Sequence, residues 1–229
     1  MERFNMKKMI FLLFGLIAGL AMYAQNGSVK DEKVYEIKSG VIVFQIDGMT
    51  KGTKTHWFDD YGRLQCTRTT TTTSLMGFST KEDKLEIRTH EWIYNINMSD
   101  KTGTKAKIET AMAPTDAMYS GLSDSEKEQF VEQTKASLNV RESGTGVVLG
   151  RTCKIVEVGQ GNKVWTYKNI NLKSEVQMGT IKMTETPTSF EENASVGASK
   201  FEPPAGIQIE DITEMMKQMD GFGFGEDEE

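Results

Sequence analysis

The strongest constraint on this chain is an alternation of period two, repeated in short runs that turn residues separate. Ile42, Phe44 and Ile46 fall on one side of an extended segment, while Val41, Val43 and Gln45 fall on the other. A helix cannot keep that pattern on one face, so the front of the chain reads as β-strand. Asp47-Gly48 and Lys51-Gly52 mark a turn, Thr53 to Phe58 returns as a strand, and Asp59-Asp60-Tyr61-Gly62 forms a second tight turn. Arg63 to Leu75 follows, with five consecutive threonines, Thr69 to Thr73, whose β-branched side chains suit a pleated surface. Leu85–Arg88, Trp92–Met98 and Lys105–Thr110 continue a meander.

After Pro114 the period changes. Ser123-x-x-Glu126 is a capping-box pattern, and Phe130, Val131, Thr134 and Leu138 follow at helical spacing, so a helix is expected over about Asp124 to Asn139. A second β block resumes at Gly146, with strands at Lys154–Val158, Lys163–Tyr167, Asn171–Gln177, Thr180–Glu185 and around Ser189–Val196. Asp211-x-x-Glu214 then caps a closing helix carrying Ile212, Met215, Met216 and Met219, which Gly221 stops. The remainder, 221–229, is glycine-rich and acidic and reads as a mobile tail.

Residues 1–8 carry three basic side chains and one acid, and Met9 to Met22 carries no charge. Fourteen apolar residues are short for a spanning helix and suit the core of a secretory leader. A leader over 1–24, cleaved after Ala24, is expected, followed by one domain over 25–220 in a periplasmic or secreted compartment. Cleavage leaves 24 basic and 32 acidic residues from the original 27 and 33. That acidic balance argues against nucleic acid as a partner, and no later stretch would anchor the mature chain in a membrane.

Cys66 and Cys153 are the chain's two cysteines. In an oxidising compartment they are compatible with one disulfide; the alternative is two buried thiols packed as small hydrophobes. With His56 and His90 they show no metal-ligand spacing, so no metal and no cofactor are expected. Both histidines read as strand residues rather than general bases. Gly144-Thr145-Gly146 opens a strand and not a helix, which removes the helix N-terminus that a phosphate site requires. No nucleophile or zinc-protease motif is present, and the chain reads as a non-enzyme.

From Val164 to Asp211, with Phe201, Pro203, Pro204 and Gly206 forming a closing Phe-x-x-Pro-x-Gly, the sequence resembles the C-terminal part of LolA-like and LppX-like bacterial envelope proteins. Ser39 to Phe44 and Trp57 to Arg63 are similar to exported, uncharacterised members carrying a related domain. The resemblance implies a mainly β fold with some α: a strongly curved antiparallel half-barrel whose concave face is covered by helices, enclosing a cavity that in the carriers takes acyl chains. No arginine here matches the carriers' lid arginine.

Trp92, Tyr94 and Ile96 share one face of their strand, and Trp165 and Tyr167 share one face of theirs. Two readings follow. The helices fill the hollow and these residues are core, or they fill it in part and Trp92, Tyr94, Trp165, Tyr167, Met215, Met216 and Met219 line a site for a lipid, a lipidated group or another apolar ligand. The corresponding functions are a monomeric exported binding protein and an envelope interaction module that works through its surface.

Overall fold

The computed structural model describes residues 33–220 except 76–77, 120, 160 and 179–180, and the side chains of 75, 114–119, 178, 181 and 219–220 are likewise not described. The leader expected over 1–24 and the tail expected over 221–229 lie outside the described residues. The chain is mainly β. Its strands are β1 (Gly40–Gly48), β2 (Thr50–Asp59), β3 (Leu64–Leu75), β4 (Phe78–Arg88), β5 (Trp92–Asn97), β6 (Thr102–Lys107), β7 (Val140–Val148), β8 (Arg151–Val158), β9 (Asn162–Tyr167), β10 (Ile170–Met178), β11 (Ile181–Glu192) and β12 (Gln208–Asp211). Three α-helices accompany them among the described residues: α1 (Ile108–Tyr119), α2 (Asp124–Ser137) and α3 (Thr213–Asp220).

All twelve strands belong to one open sheet, in the order β12-β6-β5-β4-β3-β2-β1-β11-β10-β9-β8-β7. Two meanders, one from each half of the chain, are zipped together where β1 pairs with β11 from Gly40↔Glu192 to Gly48↔Met183. A bulge between Val43 and Phe44 skips Thr188, whose hydroxyl donates to the Val43 carbonyl. It places Pro187, which lacks an N–H, in a central strand. The sequence pattern therefore reads as two runs what the molecule builds as one strand.

Registry makes the two faces distinct. Gly40, Ile42, Phe44 and Ile46 on β1 stand opposite Phe58, His56, Lys54 and Gly52 on β2, and these share a face with Phe190 and Glu185 on β11. Arg151 on β8 shows that the sheet curls toward this face. Its Nε donates to Glu192 Oε1 at 2.6 Å and its Nη2 to the Phe190 carbonyl at 3.2 Å, although β9 and β10 lie between β8 and β11. In a flat sheet three strand steps would separate these strands by about 14 Å. Val148 and Cys153 accordingly join Ile42, Phe44, Phe58, Leu172 and Phe190 in one inner core, closed by Tyr35 and Ile37 from the segment ahead of β1. Gly40 is required here, since a Cβ would come within 2.7 Å of Phe58 Cζ.

That leading segment also buttresses the β2–β3 turn. Asp60 and Tyr61 adopt positive φ (49° and 57°), with Gly62 at 81°, a conformation unfavourable for the first two. Three backbone bonds hold it: Val34 N and Tyr35 N donate to Tyr61 O, and Tyr61 N donates to Lys38 O.

On the opposite, outer face, Cys66, Leu85, Ile87 and Ile96 form a second core with Trp57, Leu64 and Tyr94 against it. After β11 the chain crosses this face to bring β12 beside β6 in parallel pairing, and it lays Val196, Phe201 and Ile207 onto the cluster. The Phe-x-x-Pro-x-Gly segment thus works as a strap over the outer side of the sheet, with Lys200 Nζ 4.6 Å over the Trp57 ring.

Helix α2 begins at the expected capping box, Ser123 and Glu126 bonding reciprocally, and has no buried residue. It contacts β7, while α1 and α3 contact each other and the β5–β6 end. Among the described residues neither core includes a residue of α1, α2 or α3. Helix α1 departs from the sequence expectation: it starts directly after β6 and runs through Pro114, a residue that normally ends a helix. Among the described residues no helix is long and apolar enough to cross a membrane.

The disulfide alternative is corrected. Cys66 and Cys153 are both free and buried, one in each core, on strands six positions apart in the sheet. A disulfide needs Cα atoms within about 7 Å.

Phe58 is fully buried, whereas Phe78 is 81% exposed. Phe58→Ala is expected to destabilise the fold by about 3–5 kcal/mol and Phe78→Ala by less than about 0.5 kcal/mol, as read from urea unfolding midpoints.

Candidate ligand-binding face

The predicted lining residues do not converge. Trp92 and Tyr94 lie on β5 and Trp165 and Tyr167 on β9, with six strands between them in the sheet order. The rings of Trp92, Trp165 and Tyr167 are already engaged by cations. Lys105 Nζ lies 4.1 Å from the Trp92 centroid, Lys173 Nζ 4.2 Å from that of Trp165, and Lys168 Nζ 5.1 Å from that of Tyr167. Tyr94 packs on the outer core, and Trp165 and Tyr167 pack on the inner one. Met215 projects outward, 53% exposed, and Met216 is half-buried on α3. The Met219 side chain lies outside the described residues.

Registry assembles a different set on the face that carries the inner core. One lateral row runs Ile42 (β1), His56 (β2), Thr67 (β3), Glu86 (β4), Asn95 (β5), Thr104 (β6). The row beside it runs Phe44, Lys54, Thr69, Lys84, Asn97, Thr102. Within two strand positions the same face passes from aliphatic and aromatic to hydroxyl, amide and charge. The threonine run supplies this change: alternate members Thr67, Thr69, Thr71 and Thr73 face inward.

His56 anchors the seam. Its Nδ1 is 2.8 Å from Thr67 Oγ1, and its Nε2 is 3.1 Å from the Tyr35 hydroxyl, which also donates to Gln65 Oε1 at 3.4 Å. Its ring stacks on Phe58 with centroids 5.7 Å apart. Burial, with the Lys54 ammonium adding to it, pushes the His56 pKa down to about 3, so the ring is neutral and both nitrogens are occupied. Burial also pushes the Tyr35 hydroxyl up. This is a structural clamp between the leading segment and the sheet, and it leaves no lone pair for proton abstraction.

Lys54 is ion-paired with Glu185, reaching across β1, and its Nζ lies 4.4 Å from the Phe44 centroid. Lys84 pairs with Glu82 at 3.0 Å. Glu86 differs: it is exposed, yet surrounding protein raises its pKa, opposed by Lys54 and Lys84. Sequence reading missed this set because its members belong to separate hairpins and each alone reads as a solvated strand residue. The alternation that assigns Ile42 and Phe44 to one face, carried across two hairpins, was the available signal. Among the described residues no three His, Cys, Asp or Glu side chains converge to hold a metal ion.

No family model matches the chain, and no curated protein matches it. Among solved structures, it is similar over 80% of its length to 94% of an uncharacterized conserved protein from Thermus thermophilus, at 9% identity and a TM-score of 0.48. It is similar over 80% of its length to 32% of PNGF-II in a C2 crystal form, at 14% identity and a TM-score of 0.40, and to 33% of PNGF-II in a P21 form at a TM-score of 0.39. The chain thus spans about a third of the PNGF-II chain.

Between about pH 6.5 and 3 an unfolded chain holds a proton on His56 that the folded chain lacks. The clamp's contribution is therefore complete above about pH 7 and is lost as pH falls through that window. The expected wild-type loss from about pH 6.5 to about pH 5 is about 1.5 kcal/mol greater than in His56→Gln. Urea unfolding of both at the two pH values measures it, and equal losses would contradict the buried neutral ring.

Proposed function

We propose that the protein is an exported, non-enzymatic binding protein that holds an amphiphile, a lipid or a lipidated group, on the concave face of a half-barrel sheet. The observation that carries this reading is the lateral change of character on that face. Buried Ile42, Phe44 and Ile46 on β1 give way to half-buried His56 and Lys54 on β2, Thr67 and Thr69 on β3 and Lys84 on β4, and to exposed Glu86. The polar head of an amphiphile matches the half-buried and exposed threonines and charges of β2 to β4, and its apolar end lies along the margin of the covered core, in which Ile42, Phe44 and Ile46 are themselves buried. The apolar leader segment and the acidic balance of the remainder support an exported carrier that meets its cargo away from nucleic acid. In this reading the ligand runs across the strands, and the aromatic residues of β5 and β9 support the wall instead of touching the cargo.

The test uses the chain from residue 25 onward, stripped of lipid under denaturing conditions and refolded, then mixed with a lipid extract of a Gram-negative envelope and examined by native mass spectrometry. A stoichiometric apolar adduct is expected. Thr69→Trp, on the inner face, should lower its occupancy about tenfold, and Thr70→Trp, one residue along and on the outer face, should leave it unchanged. Absence of any adduct would contradict the proposal and favour a surface-acting partner protein of the envelope. Equal loss in both variants would move the site off the concave face.

A further inference from the structure

The outer core is roofed by the strap between β11 and β12, which lays Val196, Phe201 and Ile207 onto Cys66, Leu85, Ile87 and Ile96. Between Ala194 and Gln208, Phe201 alone is buried. Ser199, Lys200 and Glu202 beside it are exposed, as are Pro204 and Ala205. One ring therefore carries most of the contact between the strap and the sheet.

Backbone bonds to the sheet stop at the two ends of the strap. Asn193 N donates to Ser39 O at 2.8 Å, and Gln208 N donates to Lys101 O at 2.9 Å. Among the described residues no backbone hydrogen bond joins 195–207 to a strand, and Lys200 N donates within the strap to Gly197 O. Both ends also turn through the left-handed region, at Asn193 (φ 57°) and Gly206 (φ 79°), which asparagine and glycine enter most readily. A Cβ at Gly206 would meet nothing within 4 Å, so the chain can swing there without collision. A segment with fixed ends, two pivots, one buried ring and no ladder to the sheet is of the kind that opens before the fold does.

The strap covers one thiol. Cys66 stands between Trp57 on β2 and Ile87 on β4, Phe201 packs in the same cluster, and Lys200 Nζ lies over the Trp57 ring. Burial pushes the Cys66 thiol up to about 11, with Lys200 and Arg68 opposing it. Under the closed strap the sulfur is thus protonated and unreactive. Cys153 belongs to the inner core, to which the strap contributes no residue.

We infer that residues 194–206 form a hinged lid that opens as a unit while the sheet stays intact, and that this lid, not the fold as a whole, shields Cys66 from thiol–disulfide exchange. Once the lid is open, water reaches the sulfur and the thiol ionises in its ordinary range. The Cys66 thiolate then attacks a small disulfide: one sulfur of the reagent joins Cys66, and the other leaves as a thiolate.

The test follows the reaction of the native protein with dithiobis(nitrobenzoate) in urea concentrations below the unfolding transition, with the modified cysteine located by peptide mass mapping. Labelling of Cys66 is expected to rise with urea at less than about half the slope of global unfolding measured by circular dichroism, because lid opening exposes little of the sheet. Phe201→Ala should speed Cys66 labelling at least about tenfold. Ile42→Val, which loosens the inner core, should lower the urea midpoint and leave Cys66 labelling unchanged. If Phe201→Ala does not fold, Phe201→Leu takes its place and the wild-type slope still decides. Absence of Cys66 labelling below the transition, a slope equal to that of global unfolding, or equal acceleration by Phe201→Ala and Ile42→Val overturns the lid.

Discussion

Arg151 holds together two parts of the sheet that strand order alone keeps apart. Its guanidinium reaches from β8 to the carboxylate of Glu192 and the carbonyl of Phe190 on β11, and it lies 4.5 Å from the Phe190 ring centroid. That contact requires the C-terminal meander to curl inward, and the curl gives the sheet an inside. Strand alternation then sorts the residues of β1 to β4 onto the face of the inner core or onto the opposite face. The same curl brings Val148 and Cys153 onto Phe58 and Phe190, closing the inner core at one end.

A curved single sheet has two faces to cover, and the two ends of the described chain cover one each. Tyr35 and Ile37 lie on the inner core, tied by His56 and by the bonds to Tyr61. The segment after β11 lies on the outer core, tied at its start by the Ser39 hydroxyl donating to the Ala194 carbonyl at 2.8 Å. Segments of low regular structure thereby bury Cys66, Ile87 and Phe58, work that helices usually perform in folds with a covered sheet. The described helices contact strands toward the two ends of the sheet order, β5 and β6 at one end and β7 at the other.

Much of the fold was legible because alternation and capping are local. The strands of both meanders and the capping box at Ser123 follow from nearest neighbours along the chain. What was not legible depends on distant partners or on neighbours that override local preference. Pro114 within α1, Pro187 within β11 and the glycine-broken strand Val140–Val148 all violate local rules and are accommodated by tertiary context, Pro187 by a bulge. The parallel pairing of Ile209 beside Gly103 depends on a long crossing that no local pattern encodes. The candidate site suffered most. The shared face of Trp92 and Tyr94 was readable, but not that six strands separate it from Trp165 and Tyr167. The proposed wall consists of residues that are ordinary singly, Lys54, His56, Thr67 and Glu86, and only registry across β2, β3 and β4 brings them into rows.

Binding on a concave wall presupposes that the sheet is curled in solution, and the Arg151–Glu192 contact reports on this most directly. Both side chains are largely shielded, at 20% and 23% exposure, so a genuine contact should register energetically. A double-mutant cycle with Arg151→Gln and Glu192→Gln, read by urea unfolding, is expected to give a coupling energy of about 1–2 kcal/mol. Strict additivity of the two substitutions would mean that β8 and β11 do not meet, and with them the concave face would go.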